Sequence, residues 1–178
     1  MKTRAFKTKQ LTIVLAILFN CGSFISQAQA ALINAASCSQ ANVQSAINSA
    51  SNGDTVGIPT GTCTWTSGIS LTKRITLQGS GIGSTIITYS DGTLFVTSGE
   101  SANNFRITGI EFRNCTQCVY LDGTSSPKEA VKNFRIDHCK FKNAYVALET
   151  DGRATGVLDN NTLKILMVRV FMAGIRPE

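Results

Sequence analysis

One short segment of this chain occurs three times, with decreasing fidelity. It reads NFRITGIEFRNC at residues 104–115 and NFRIDHCKFKNA at residues 133–144, and a shorter version, GVLDNNTL, occupies residues 156–163. Each copy contains apolar residues spaced two apart and is bounded by Gly or Asn, as expected for short strands between turns. Repeats of roughly 20–50 residues are typical of solenoids, propellers and arrays. A solenoid of short strands is a parallel β-helix.

Two ladders of apolar residues favour the same fold. The first consists of Ile58, Leu77, Ile107, Ile136 and Leu158. The second consists of the pairs Ile69/Leu71, Leu94/Val96, Val119/Leu121, Val146/Leu148 and Val168/Val170. Alternation with period two places one set of side chains inside and the other in solvent. A β-sandwich also has many short strands, but hairpins join them and no fixed repeat is required. We therefore predict an all-β parallel β-helix of about five rungs.

The first 30 residues resemble a secretory signal peptide in composition. A basic start precedes an apolar run at residues 11–19, and Ala28-Gln29-Ala30 is a small-x-small cleavage site. The run is shorter than the roughly 20 residues that a membrane span needs. Four of the chain's 17 basic residues lie in this segment, so the rest of the chain is close to neutral and gives no indication of nucleic-acid binding. We expect cleavage near Ala30 and a periplasmic or extracellular location.

Residues 39–53 have the pattern of an amphipathic helix. Its apolar stripe consists of Val43, Ala46, Ile47 and Ala50. Ser39 is suited to the N-cap, and Asn52-Gly53 ends the pattern. Because a solenoid would otherwise expose its apolar core at its end, we expect this helix to cap the first rung. We also expect Trp65 to pack near this end.

The predicted organisation has four parts. They are a signal peptide at 1–30, an N-terminal segment with the capping helix at 31–55, the β-helix rungs at 56–170 and a truncated end at 171–178. The ladder continues to Val168 and Val170, and the chain stops soon afterwards. We therefore expect a C-terminally truncated β-helix, the N-terminal part of a longer protein, with an exposed edge available for self-association.

The cysteines that follow the signal segment fall into two groups. Cys38 and Cys63 flank the first helix-and-strand unit, and we pair them; closing a loop of about 25 residues contributes on the order of 3 kcal/mol. We expect the other three, Cys115, Cys118 and Cys139, to be mostly free thiols. A zinc site made of CxxC, His138 and Cys139 is the alternative, but a single CxxC is a weak signal, and Cys139 occupies an inward position. We predict no metal and no cofactor.

Three further segments suggest a family. They are NGDTVGIPTGT at 52–62, ITLQGSG at 75–81 and STIIT at 84–88. Together they resemble the N-terminal rungs of the pectin-lyase-like superfamily, over roughly residues 36–170. The resemblance implies a secreted, right-handed parallel β-helix. Many members of the superfamily are polysaccharide lyases or glycoside hydrolases, and others are not enzymes.

A fourth segment resembles plant-type pectate lyases more narrowly. It is Ile136-Asp137-His138-Cys139, which in that family precedes two carboxylates that bind calcium. Here Val146 and Thr150 occupy the two carboxylate positions. Calcium requires several oxygen ligands, and valine supplies none, so that the calcium site is not present in this form.

Four acidic residues are candidate catalytic groups: Asp137, Asp159, Glu149 and Asp151. Asp137 and Asp159 occupy the same position in consecutive copies, so a carboxylate pair one rung apart could act as general acid and base, although such residues also cap turns. Glu149 is expected to point outward and Asp151 to lie in the following turn, where both also fit a solvated polar face. For His138 we expect a role in the turn, because adjacent strand residues point to opposite faces and would not bond directly.

Four basic residues are candidate binding groups for an acidic polysaccharide: Arg106, Arg135, Arg113 and Lys142. Arg106 aligns with Arg135, and Arg113 aligns with Lys142, so each pair is expected to stack along the coil. Charge on a solvated strand face has the same appearance and is the competing interpretation.

The sequence thus leads to two functional hypotheses. In the first, the chain is the N-terminal portion of a secreted, bacterial-type β-helix protein that binds or processes polysaccharide, with a lyase- or glycosidase-like parent and no complete active site in this chain. In the second, it belongs to a non-catalytic extracellular β-helix, adhesin-like or structural. Whether the parent is an enzyme stays open at this point, because the fold does not fix the activity.

Overall fold

The computed structural model describes residues 29–89, 93–98, 103–123 and 131–165. Within these ranges the chain forms one helix and fifteen strands. The helix, α1, spans Gln40–Ser49. The strands are β1 (Leu32–Asn34), β2 (Thr55–Ile58), β3 (Gly61–Trp65), β4 (Ile69–Ser70), β5 (Thr76–Gly79), β6 (Thr85–Tyr89), β7 (Thr93–Ser98), β8 (Arg106–Thr108), β9 (Glu111–Arg113), β10 (Gln117–Gly123), β11 (Val131–Asp137), β12 (Lys140–Ala144), β13 (Val146–Gly152), β14 (Ala154–Asp159) and β15 (Thr162–Ile165).

The strands form three parallel sheets. The first sheet has the order β1-β2-β5-β8-β11-β14, the second β3-β6-β9-β12-β15 and the third β4-β7-β10-β13. From β2 onward, consecutive strands enter the first, second and third sheet in turn, so that every coil of the chain adds one strand to each sheet. The described residues contain four such coils and two strands of a fifth, which confirms the predicted parallel β-helix.

The first apolar ladder is real but begins at a different residue. The register aligns Val56, Leu77, Ile107, Ile136 and Leu158 on consecutive strands of the first sheet. The predicted first rung, Ile58, instead aligns with Gly79. Val56 and Ile58 are both buried and lie two apart, so alternation alone does not distinguish the two registers. Leu158 is 55% exposed, since β14 is the last described strand of this sheet.

The second ladder is wrong in its pairing. The structure aligns Ile69, Phe95, Val119 and Leu148 along the third sheet. Leu121, the predicted partner of Leu148, aligns with Thr150 instead. Leu94, Phe95 and Val96 are consecutive apolar residues, so this strand shows no apolar–polar alternation from which its register can be predicted. The Val168/Val170 pair, the truncated end and residues 1–28 of the signal segment lie outside the described residues and stay predictions.

Identical side chains stack from coil to coil inside and at the corners. The rings of Phe105 and Phe134 lie 5.8 Å apart, and a second stacked pair, Phe112 and Phe141, lies 5.2 Å apart. Asparagines with positive φ recur along the coils: Asn104, Asn114 and Asn160 lie between strands, and Asn133 and Asn143 lie at register shifts within β11 and β12. Asn side chains on successive coils bond one another, Asn133 to Asn104 and Asn143 to Asn114, each at 3.2 Å. These ladders fix the corners, because Asn tolerates the left-handed conformation.

Each sheet is closed differently at the N-terminal end. Strand β1 covers β2 of the first sheet. On the third sheet, α1 covers β4: the amide of Gln44 accepts from Ser70 N at 2.9 Å and donates to Ser70 O at 3.2 Å, as a neighbouring strand would. At the second sheet, a disulfide joins Cys38 to Cys63 of β3, with a Cα–Cα distance of 5.8 Å. Exposed strand edges invite pairing with other chains, and these three devices prevent it.

The capping helix is shorter than predicted. It ends at Ser49 instead of continuing to residue 53, and Ser39 is its N-cap, accepting a hydrogen bond from Asn42 N. At its C-terminus, Lys73 Nζ donates to the carbonyls of Asn48 and Ala50, both at 2.6 Å, which satisfies groups that a helix end leaves unpaired. Trp65 is fully buried at this end, as expected, and its Nε1 donates to Cys38 O.

The expectation for Cys115 and Cys118 is wrong, because the structure joins them in a disulfide with a Cα–Cα distance of 5.2 Å. Asn114, at φ 57°, turns the chain immediately before Cys115 and brings together two residues that an extended strand would hold apart. This turn was not anticipated from the CxxC spacing. Cys139 is the free cysteine among the described residues, and it is buried in the core.

The cap can be tested with one buried and one exposed position on the same helix. Ile47→Asp places a carboxylate against the first coil, where Ile47 is 1% exposed, whereas Ser45→Asp places it in solvent. We expect Ile47→Asp to lower the free energy of unfolding by more than about 3 kcal/mol and to yield aggregated protein. Ser45→Asp should stay within about 0.5 kcal/mol of the parent. Equal stability of the two variants in urea titrations would contradict the capping role.

The cysteine pairing can be tested by mass mapping without reduction. We expect linked peptides for Cys38–Cys63 and Cys115–Cys118, and, among the cysteines that follow the signal segment, alkylation of Cys139 alone after unfolding. In the native protein Cys139 should resist alkylation, because burial raises the pKa of its thiol to about 12 and closes access to it. Rapid native alkylation of Cys139, or any link that includes it, would contradict the structure.

Candidate functional site

The outward-facing side chains of the three sheets differ in charge. We call these surfaces the first, second and third face, after the sheets that carry them. In the described strands, the second sheet contains four basic residues and one acidic residue, whereas the third contains three acidic residues and no basic one. The first sheet contains three basic and two acidic residues. The sequence candidates are therefore distributed over three chemically distinct surfaces.

The first face holds an Arg–Asp ladder that connects successive coils. Arg106 and Arg135 align with each other, as do Asp137 and Asp159, as predicted. Arg106 donates from Nε and Nη2 to the two carboxylate oxygens of Asp137, at 2.8 and 2.5 Å. Arg135 repeats the arrangement one coil later with Asp159, at 3.1 and 2.7 Å. Each arginine thus pairs with an aspartate of the following coil, in the two-pronged geometry that strengthens such bonds.

Asp137 lies at the centre of this ladder. Its side chain is fully buried although its strand position faces outward, because Arg106, Arg135 and His138 cover it. The hydrogen bonds from Arg106 lower the pKa of Asp137 to about 2, against the opposing effect of burial. A carboxylate held ionised in this way is unsuited to act as a general acid near neutral pH. The ladder accounts for these four candidates without a ligand.

The expectation for His138 needs correction. Its Nδ1 lies 3.0 Å from Asp137 Oδ2, although a direct bond was not expected. Strand β11 ends at Asp137, and His138 adopts φ 51°, so strand alternation no longer governs its direction. The predicted turn position is therefore correct, and the turn is what brings the imidazole onto the carboxylate.

The second face carries a column of basic residues. Arg113 aligns with Lys142, as predicted, and Lys142 aligns with Lys164, which the sequence analysis missed. Extending the third repeat by one residue past Leu163, without a gap, would have placed Lys164 opposite Lys142. Among the described residues, no hydrogen bond or ion pair engages the amino group of Lys142 or Lys164. These two side chains are available to an anion.

The one acidic residue on the second face does not cancel this charge. Glu111 is 1% exposed and accepts from Arg113 Nε at 2.7 Å, with Lys140 Nζ 3.4 Å from its other oxygen. Burial raises the pKa of Glu111, but Arg113 and Lys140 outweigh burial and hold the pKa below its usual value. Because this carboxylate is buried under two cations, the surface presented to solvent is basic.

The third face is acidic and contains Glu149 and Asp151. Their strand partners are Tyr120 and Asp122, neither of which was singled out from the sequence, although both alternate with buried residues. Gln117 Nε2 donates to Glu149, and Tyr120 Oη lies 3.4 Å from Asp151 Oδ2. Burial, and then the nearby carboxylates, raise the pKa of Tyr120. Asp151 lies within β13 and not in the turn after it, because β13 continues to Gly152.

Two further expectations concern metals and membranes. Among the described residues, no group of three or more His, Cys, Asp or Glu side chains could hold a metal ion. Val146, at a carboxylate position of the pectate lyase motif, is buried, and Thr150 aligns with Leu121 of the core. In the same part of the chain, no helix has both the length and the apolar character that crossing a membrane requires.

Comparisons with known proteins support the fold. No family model matches the chain, and no curated protein matches it. Among solved structures it is similar to a PL6 family alginate lyase, AlyGC, with a TM-score of 0.60 and 20% sequence identity. The alignment covers 77% of this chain and 20% of that chain, so this chain spans about a fifth of the length of the structure that it matches. At this identity the similarity shows a shared parallel β-helix fold.

The Arg–Asp ladder predicts a specific dependence of stability on pH. The pKa of Asp137 in the folded state, about 2, lies below the ordinary value for an aspartate, so the stability that the ionised carboxylate contributes is present above about pH 4 and is lost as the pH falls toward 2. At pH 7, Asp137→Asn should lower the free energy of unfolding by about 1–3 kcal/mol. The loss should be much smaller at pH 2, where Asp137 is protonated in about half of the parent molecules.

Asp159→Asn is the matched control for this measurement. Asp159 makes the same two-pronged contact with an arginine but is 32% exposed, so its removal should cost less than about 1 kcal/mol. Urea titrations of both variants at pH 7 and pH 2 give the comparison. A cost for Asp137→Asn that is the same at both pH values would show that the ion pair does not stabilise the fold.

Proposed function

We propose that this chain is part of a secreted β-helix protein that binds, and in its full length processes, an acidic polysaccharide. The fold is shared with an alginate lyase, and alginate is a polymer of sugar acids. The segments that resemble the pectin-lyase-like superfamily favour the same class of protein. Two disulfides in the described residues fit export, because such bonds persist in oxidising compartments. No catalytic step is assigned to this chain.

The observation that carries the proposal is the separation of charge between faces. An acidic polymer is attracted to the second face, where basic residues outnumber acidic ones and the one carboxylate is buried. The third face would repel such a polymer, since its carboxylates are partly exposed and none of its described strands contains a basic residue. On the first face the arginines are already paired with aspartates. The second face is therefore the surface that matches the polymer in charge.

The proposal can be tested by affinity electrophoresis of the full chain in native gels. We expect alginate and polygalacturonate in the gel to slow the protein, and neutral dextran to have no effect. The retardation should disappear near 1 M salt, where the Debye length falls to about 3 Å, because the attraction is between exposed charges. Retardation by dextran as strongly as by the acidic polymers, or by no polymer at all, would overturn the proposal.

The acidic third face supplies a matched control. The double variant Glu149→Gln, Asp151→Asn removes two negative charges from that face and leaves the second face intact. We expect it to be retarded by alginate at least as strongly as the parent protein. If it loses retardation instead, the polymer binds the third face, and the two acidic candidates belong to the binding site.

A further inference from the structure

The five strands of the second sheet place one outward-facing residue of each coil in a single line. Thr64 aligns with Thr88, Thr88 with Arg113, Arg113 with Lys142, and Lys142 with Lys164. Neighbouring parallel strands lie about 4.8 Å apart, so the line is roughly 19 Å long and its three cations span roughly 10 Å. The line runs along the axis of the β-helix.

We propose that this line is an axial binding track for a linear acidic polysaccharide, in which Arg113, Lys142 and Lys164 bind the carboxylates of successive sugars. The proposal rests on the proposed function and names the surface and the direction in which the polymer lies. Thr88 and Thr64 extend the track with hydroxyl groups that can bond sugar hydroxyls. The track therefore has a charged half and a neutral half.

The charges on the track are available for a ligand. Lys142 and Lys164 have no partner among the described residues. Arg113 uses Nε to bond Glu111, and its two terminal nitrogens have no hydrogen-bond or ion-pair partner among the described residues. Stacking three cations one coil apart is unfavourable on its own, because like charges directly opposite each other on neighbouring strands repel. A bound anion neutralises these charges and removes the repulsion, so the column is more favourable with an acidic ligand bound than without one.

The repeat of the track matches a polymer with one carboxylate per sugar. A pyranose ring with its glycosidic bond is comparable in length to one coil step, so the sugars along an axial polymer are spaced much as the coils are. The residues beside the column within each strand are Phe112, Phe141 and Leu163, which occupy the inward positions. The next outward column on the same strands consists of Glu111, Lys140 and Thr162, and its one cation, Lys140, bonds Glu111. No second column of free cations therefore runs parallel to the track in the described residues, and only an axial polymer can reach all three charges. A polymer lying across the sheet would meet one.

The track can be tested with oligosaccharides of defined length from polygalacturonate or alginate. The wild-type affinity should rise steeply up to about four sugars, the length of the track in coil steps, and then level off. The double variant Lys142→Gln, Lys164→Gln should bind a six-sugar oligomer at least tenfold more weakly. Lys142→Arg, Lys164→Arg keeps the charge and should bind within threefold of the parent. Circular dichroism melting of each variant confirms that it is folded.

The matched control removes two positive charges elsewhere. Arg74 and Lys132 are exposed and lie outside the second face, so Arg74→Gln, Lys132→Gln should change the affinity less than twofold. If Lys142→Gln, Lys164→Gln binds like the parent while alginate still retards both, the track is wrong and the proposed function stands. If no polysaccharide binds the parent, both fail. Tighter binding of a single-stranded DNA of equal charge than of the six-sugar oligomer would overturn the choice of ligand.

Discussion

The stacking of equivalent positions from coil to coil is the constraint on which the rest of this structure depends. Parallel strands of neighbouring coils are held in register by backbone hydrogen bonds, so whatever one coil places at a position meets its counterpart about 4.8 Å away. Apolar residues benefit, as the buried column Val56, Leu77, Ile107 and Ile136 shows. Large rings stack in the same way, and asparagines of successive coils bond each other. Charges cannot stack without cost.

The chain deals with stacked charge in two ways. On the first face, Arg106 and Arg135 would repel each other, but each reaches forward to an aspartate of the next coil, and two unfavourable columns become a set of ion pairs. On the second face, Arg113 finds Glu111 within its own strand, and the same solution is not available to Lys142 or Lys164 in the described residues. The cations of this column therefore still repel one another, and an acidic ligand would neutralise them.

The sequence was sufficient to predict the coiled fold, but it did not determine the register between neighbouring strands. The repeated segment and the alternation of apolar residues predicted a parallel β-helix, and the alignments Arg106 with Arg135 and Arg113 with Lys142 are observed. Alternation has a period of two, so a shift by two residues keeps every side chain on the same side, and the pattern alone does not separate Ile58 from Val56 as the first member of the ladder. Turns were less predictable, since the left-handed conformation of Asn114 and His138 changes which groups meet.

The candidate site shows why alignment alone does not identify a binding surface. From the sequence, Arg106, Arg135, Arg113 and Lys142 are equivalent: each is basic, outward-facing and stacked on another. What separates them is the position of the nearest carboxylate, which lies diagonally one coil ahead for Arg106 and Arg135. That contact requires a side chain long enough to reach the next coil and an aspartate two residues after the arginine's aligned partner. An alignment of the cations alone shows neither. Lys142 has no such aspartate, because its partner in the next coil is Lys164 and the residue two positions further along the sequence is a leucine, Leu166.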